Sequence, residues 1–101
     1  MADKAHVKLV TIIAASFAYD RLQRMLHDLG VRHFTISAAD GRGTHGRHER
    51  GIFGDGNLRL ETIVSPSVAD AILDRAAVEA ESAELVAFAY DAVAVPSAHF
   101  T

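Results

Sequence analysis

The sequence predicts an α+β fold in the order strand, helix, strand, strand, helix, strand. Three observations carry that expectation. Four segments, at 7–13, 31–38, 57–64 and 85–95, are β-branched, continuously apolar or alternating. Two segments, at 22–29 and 69–80, carry apolar residues at helical spacing. Between the second and third strands lies a glycine-rich interval, 41–56, in which no hydrophobic period is visible.

The first strand, Val7 to Ile13, is apolar or β-branched at nearly every residue, which suits burial on one face and partial cover on the other. Ser16 is placed to cap the helix that follows. Leu22, Met25, Leu26 and Leu29 stand at i, i+3, i+4 and i+7, with Arg21, Arg24, His27 and Asp28 on the opposite side. Gly30 stands where a terminating glycine belongs. Val31 to Ala38 reads as the second strand, with Phe34 and Ile36 on one face and Thr35 and Ser37 on the other. Asn57 to Val64 alternates cleanly, Leu58, Leu60, Thr62 and Val64 against Arg59 and Glu61, and is the expected hairpin partner of the second strand. Ser65-Pro66 is a helix start, a capping hydroxyl followed by proline at the first helical position. Ala69, Ile72, Leu73, Ala76 and Ala80 form the buried stripe of that helix, while Asp70, Asp74, Arg75 and Glu79 face water. Leu85 to Val95 is the last strand, and a short tail from Pro96 follows.

Two helices on one face of a four-stranded antiparallel sheet make the ferredoxin-like arrangement. The other sheet face is then left open. Val10, Ile12, Val86 and Phe88 are expected on it, and so apolar a face is expected to be covered by another copy of the chain.

The chain has 101 residues, so one domain over 1–101 is expected. Half of the residues are hydrophobic and 23% are charged, a globular composition. The formal net charge of −3 argues against a basic nucleic-acid binder. With no cysteine there is no disulfide, thiol nucleophile or thiolate zinc site. No apolar run approaches the ~20 residues of a membrane span, and the first residues, with Asp3, Lys4, His6 and Lys8, do not read as a signal peptide. A cytoplasmic location is the default expectation.

The chemistry concentrates between Gly41 and Gly56, which holds six of the seven glycines. A loop of that length in so small a domain is usually functional. In Gly41-Arg42-Gly43-Thr44-His45-Gly46-Arg47 the glycines let backbone N–H groups approach an anion. Arg42, Arg47 and Arg50 add bidentate contacts to phosphate or bicarbonate. The plainer alternative is a solvated loop whose arginines maintain solubility. His45 and His48, with Glu49 and Asp55 nearby, offer a second alternative, a transition-metal site. His6, His27, His33 and His99 are scattered, and read as structural or exposed. No nucleophile with a local catalytic signature and no paired carboxylates stand out, so an enzyme is not expected.

Three stretches carry a family resemblance. The first is Val31-Arg32-His33-Phe34-Thr35-Ile36-Ser37 leading into Gly41-Arg42-Gly43. The second is Leu60-Glu61-Thr62-Ile63-Val64 followed by Ala71-Ile72-Leu73-Asp74-Arg75-Ala76-Ala77-Val78. The third is Val93 to Phe100. In order and spacing these resemble the PII (GlnB-like) superfamily, over nearly the whole chain. The second and third are most similar to its PII-like branch linked to inorganic-carbon uptake, the SbtB-type bicarbonate-transporter regulators and the carboxysome-associated PII (CPII) proteins. The resemblance implies a homotrimer with adenine nucleotides, and bicarbonate as a further ligand, bound in clefts between subunits. It implies signal transduction through the 41–56 segment, the T-loop, to a transporter or an enzyme. Thr35 matches the strand threonine that touches adenine, though β-branched packing alone also explains it. Glu61 on the neighbouring strand joins the implied ligand set; its plainer reading is a sheet-surface charge paired with Arg59.

One departure bears on the ligand. PII proteins carry a second glycine-rich phosphate loop with a lysine before the last strand. Here Val78-Glu79-Ala80-Glu81-Ser82-Ala83-Glu84 has no glycine, no lysine and three carboxylates. AMP, ADP or a cyclic nucleotide is therefore expected in preference to ATP, and no cofactor. The T-loop also lacks the tyrosine on which PII proteins are uridylylated. A metal-responsive relative, similar to CutA and using His45 and His48, is the alternative within the same architecture.

Overall fold

β1 runs from Ala5 to Ala15, longer at both ends than the β-branched run that predicts it. The computed structural model describes residues 3–43, 46–48 and 56–100, with the backbone alone at 41–43 and 46–48. Ser16 to Ala18 then form a single 3₁₀ turn, and α1 spans Tyr19–Asp28. Neither start has a side-chain cap. Ser16 stands in the 3₁₀ turn, not at an N-cap position; it is buried, and its N–H donates to the Gly56 carbonyl at 2.8 Å. Leu22, Met25 and Leu26 are buried as their spacing predicts.

α1 ends on Gly30, whose φ of +79° is the left-handed conformation that a Cβ disfavours. A Cβ built there would meet nothing within 4 Å, so the backbone angle alone asks for glycine. β2 is shorter than expected, Thr35–Ala39. Val31 to Phe34 is not strand because its polar backbone groups are engaged elsewhere. The Val31 N–H returns to the Leu26 carbonyl at 2.8 Å, and the His33 carbonyl accepts from Thr62 Oγ1 at 2.7 Å.

The glycine-rich interval is not wholly without regular structure. β3 (Gly41–Gly43) pairs antiparallel with β4 (Gly46–His48), placing Arg42 directly opposite Arg47. β5 is Asn57–Val64, as its alternation predicts. α2 spans Pro66–Ala83, with the Ser65 hydroxyl accepting the Val68 N–H at 3.4 Å. Glu84 alone, at φ +49°, links α2 to β6, Leu85–Ala94. Ser97 to Phe100 make a final 3₁₀ turn after the cis Val95–Pro96 bond.

The principal sheet has the order β2-β5-β1-β6 with every neighbouring pair antiparallel, and both helices lie on one face. This is the ferredoxin-like fold. Val10, Ile12, Ala14, Leu58 and Leu60 from the sheet meet Leu22, Met25 and Leu26 of α1 and Ala69 and Ile72 of α2. Burying each large member of this set contributes about 1.5–3 kcal/mol. The polar ties across the helices are secondary. Arg21 reaches Glu79 at 3.3 Å and Ser82 at 2.7 Å, and Arg75 lies 3.8 Å from Asp28. Half-exposed pairs of this kind are worth at most ~1 kcal/mol each.

Register corrects the expected composition of the open face. Val10 and Ile12 point into the core and are fully buried. Val86 stands opposite Ile13, Phe88 opposite Thr11 and Tyr90 opposite Leu9. Residues opposite one another share a face, so Leu9, Thr11 and Ile13 belong to the open side. β1 is apolar on both faces, which is why composition alone assigned the wrong alternate set. Ile63, opposite Leu9 on β5, extends the same surface. Phe88 and Tyr90 stack there with ring centroids 6.4 Å apart.

Candidate functional site

A cleft of about 770 Å³, open to solvent, lies where β2 begins beside the second half of β5. One wall is the connection from Gly30 to Phe34. That wall is fixed from both sides. The turn out of α1 holds Gly30 and Val31 on the helix end, and the buried Thr62 hydroxyl holds the His33 carbonyl. A buried hydroxyl needs such a partner, so this bond ties the connection to β5.

Thr35 and Glu61 both line the cleft and are direct cross-strand partners, which puts them on the same sheet face. Glu61 Oε2 accepts from Arg59 Nη2 at 3.1 Å and from Thr11 Oγ1 at 3.5 Å. The pairing with Arg59 that the plainer reading anticipates is therefore present, along the strand. Leu9 and Ile63 supply apolar surface next to this polar pair.

The C-terminal turn brings His99 and Phe100 to the cleft, their rings edge to face at 6.2 Å. Asp3 Oδ1 accepts two bonds from Ser97, the hydroxyl at 2.6 Å and the backbone N–H at 3.1 Å. These two bonds, the hydroxyl first, hold the Asp3 carboxyl below its ordinary pKa.

The structure thus brings Thr35 and Glu61 together. Gly41, Arg42 and Gly43 lie on β3, and Gly46 and Arg47 on β4, within the hairpin that follows β2. Thr44, His45 and Arg50 fall outside the described residues. Of the alternative metal pair, His45 is likewise outside, while His48 ends β4. Among the described residues no group of three or more histidine, aspartate or glutamate side chains is placed to hold a metal ion. Sequence reasoning missed Arg32, His33, His99 and Phe100 as cleft residues. His33 and His99 are exposed, as anticipated, but they stand around one cleft although 66 positions separate them in the chain. Only the folded chain brings them near, so spacing held no signal.

At Val78 to Ala83, where the sequence departs from the glycine-rich loop that the resemblance would bring, there is helix. α2 continues through Ala83, and the single residue Glu84 turns the chain into β6. The Glu84 carbonyl accepts the Ala15 N–H at 3.3 Å, which leaves no loop between the two elements.

Residues 7–97 match the family model of the nitrogen regulatory protein P-II. The chain belongs to the P-II family. A PII-like signaling protein from Thermus thermophilus is 34% identical over 99% of this chain and 100% of its own, with a TM-score of 0.80. The CPII protein of Thiomonas intermedia K12, solved with ADP and bicarbonate, is 21% identical over 97% of each chain, with a TM-score of 0.84. The GlnK–ATP complex of B. subtilis is similar at 20% identity and a TM-score of 0.64, over 86% of this chain and 83% of its own. No curated protein matches by sequence. At the coarse level the chain is thus a PII-like regulatory protein, of a family of signalling proteins. Among the described residues no helix is long and apolar enough to cross a membrane.

Proposed function

We propose that this P-II protein binds an adenine nucleotide, AMP, ADP or a cyclic nucleotide, in the cleft that contains Thr35 and Glu61. The observation that carries the reading is the pairing of those two residues on one sheet face within the cleft, on the same β2–β5 ladder whose other end, Ala39 opposite Asn57, opens into the glycine- and arginine-rich segment. A planar base fits against Leu9 and Ile63, while Arg32 on the wall offers a cation for phosphate. The Thiomonas relative solved with ADP and bicarbonate supports the same choice. Replacement of the phosphate loop by helix disfavours ATP, because a triphosphate would find no nest of backbone N–H groups there.

In this reading Gly41, Arg42, Gly43, Thr44, His45, Gly46, Arg47 and Arg50 grip the phosphates or bicarbonate, and ligand binding orders them. Three copies assemble through the open sheet face, and a neighbouring copy completes each cleft. The protein is cytoplasmic and non-enzymatic, one domain from 1 to 101. It signals to a transporter or an enzyme of inorganic-carbon metabolism, and its nearest branch is the SbtB and CPII one. Isothermal calorimetry with AMP, ADP, cyclic AMP and ATP, each with and without bicarbonate, tests the site. A lower Kd for AMP or ADP than for ATP is expected, and silence with all four removes the reading. Arg42→Ala with Arg47→Ala is expected to weaken binding at least ten-fold, since each removes a charge-assisted contact of ~1.5–3 kcal/mol. Unchanged affinity would remove both residues from the site.

A further inference from the structure

The C-terminal turn stands at the cleft without a core of its own. None of Ser97 to Phe100 is buried, yet His99 and Phe100 supply part of the cleft lining. Within the turn, the His99 N–H closes back on the Pro96 carbonyl at 3.2 Å. It is tied to the segment that enters β1 by the Asp3 carboxylate, one oxygen of which receives both Ser97 donors, 94 positions away in sequence. Charge-assisted bonds to a carboxylate are about twice as strong as neutral ones. At a site with none of its residues buried, such a clasp helps to fix where the turn rests.

We propose that Asp3 is a positioning residue for ligand binding: its clasp on Ser97 holds the C-terminal turn so that Phe100 and His99 form an aromatic wall against the base of a bound nucleotide. The inference rests on the nucleotide reading of the cleft. Asp3 itself does not line the cleft and acts through the turn. An aromatic ring presented to a base contributes stacking that is tolerant of base identity, so the wall adds affinity for nucleotides as a class.

Calorimetry with ADP and with AMP on the untagged full chain tests this, using Asp3→Ala, Asp3→Asn, Phe100→Ala and the double variant Asp3→Ala/Phe100→Ala. Phe100→Ala is expected to raise Kd about ten-fold, the size of one lost base stack. Asp3→Ala is expected to raise it by a similar factor without lowering the melting temperature by more than about 2–4 °C, the scale of a surface site, because the clasp is exposed. Asp3→Asn keeps an acceptor oxygen and restores most of the affinity. The double variant is expected to bind no more weakly than Phe100→Ala alone, since residues acting through one another are not additive. Wild-type affinity in Asp3→Ala, or fully additive losses in the double variant, overturns the proposal while leaving the nucleotide site standing. Absence of binding by the unaltered chain overturns the site reading, and this inference with it.

Discussion

Placing a carboxylate at Phe88 is the sharpest test of how the chain assembles. On the open face Val86, Phe88, Tyr90 and Ile63 retain 56%, 42%, 50% and 41% of their exposure. Full burial of such a side chain is worth about 1.5–3 kcal/mol, so covering the remaining half of each contributes on the order of 1 kcal/mol. The four together supply ~4 kcal/mol per protomer before the cost of association is subtracted. Phe88→Ala removes roughly 1 kcal/mol of this from every copy, about 3 kcal/mol for a trimer, which corresponds to roughly a hundred-fold weaker assembly. Phe88→Asp goes further. Its carboxylate would lie opposite Thr11, on the face that already carries Glu61, and burying it unpartnered costs several kcal/mol more, on the order of 3–5. The monomer fold tolerates the change because this side chain is not in the core. Sedimentation velocity at micromolar concentration is therefore expected to show trimer for the parent, partial dissociation for Phe88→Ala and folded monomer for Phe88→Asp, with circular dichroism unchanged. A Phe88→Asp protein that assembles as the parent does, or a parent that is monomeric, refutes the assignment of this face as the interface.

Three further outcomes follow from local geometry. Gly30→Ala is expected to cost about 1–2 kcal/mol in urea unfolding, from the positive φ alone since space is free, and Gly30→Asn less; a neutral Gly30→Ala would contradict the angle. Ile72→Ala, which empties a fully buried position between α2 and the sheet, is expected to lose about 2–5 kcal/mol by the same measurement. The Asp3 clasp has a defined acid limit. The carboxyl pKa is lowered by folding, so the clasp contributes fully above the ordinary carboxylate range and is lost as pH falls through the depressed value. The Ser97 amide resonance should make a step in that acid window which is absent in Asp3→Asn; the same acid step persisting in Asp3→Asn would show that another group controls the turn.

Legibility in the sequence tracked the asymmetry of each segment. β5 is polar on one face and apolar on the other, and both its limits were readable. α2 announced itself through Ser65-Pro66 and its alanine-rich stripe. β1 is apolar on both faces, so its pattern marked a strand but could not say which residues met the helices. Val31 to Phe34 looks extended by composition, yet hydrogen bonds to Leu26 and Thr62 claim it for the cleft wall. That Thr35 and Glu61 share a rung follows from the hairpin pairing that the alternation of β5 predicts. His33, His99 and Phe100 could not be placed at the cleft, because nothing local records that the chain's end returns to the exit of α1. The same holds for the clasp between Asp3 and Ser97.

The residues that bracket the glycine-rich segment are themselves a ladder pair, Ala39 opposite Asn57, and just beyond them Gly56 is moored to Ser16. Departure and return points at the two ends of one rung leave the scaffold little affected by what is strung between them. Doubling the length of such an excursion costs only about 0.6 kcal/mol in closure entropy. A longer or shorter appendage can therefore be carried at this point while the platform beneath stays as it is.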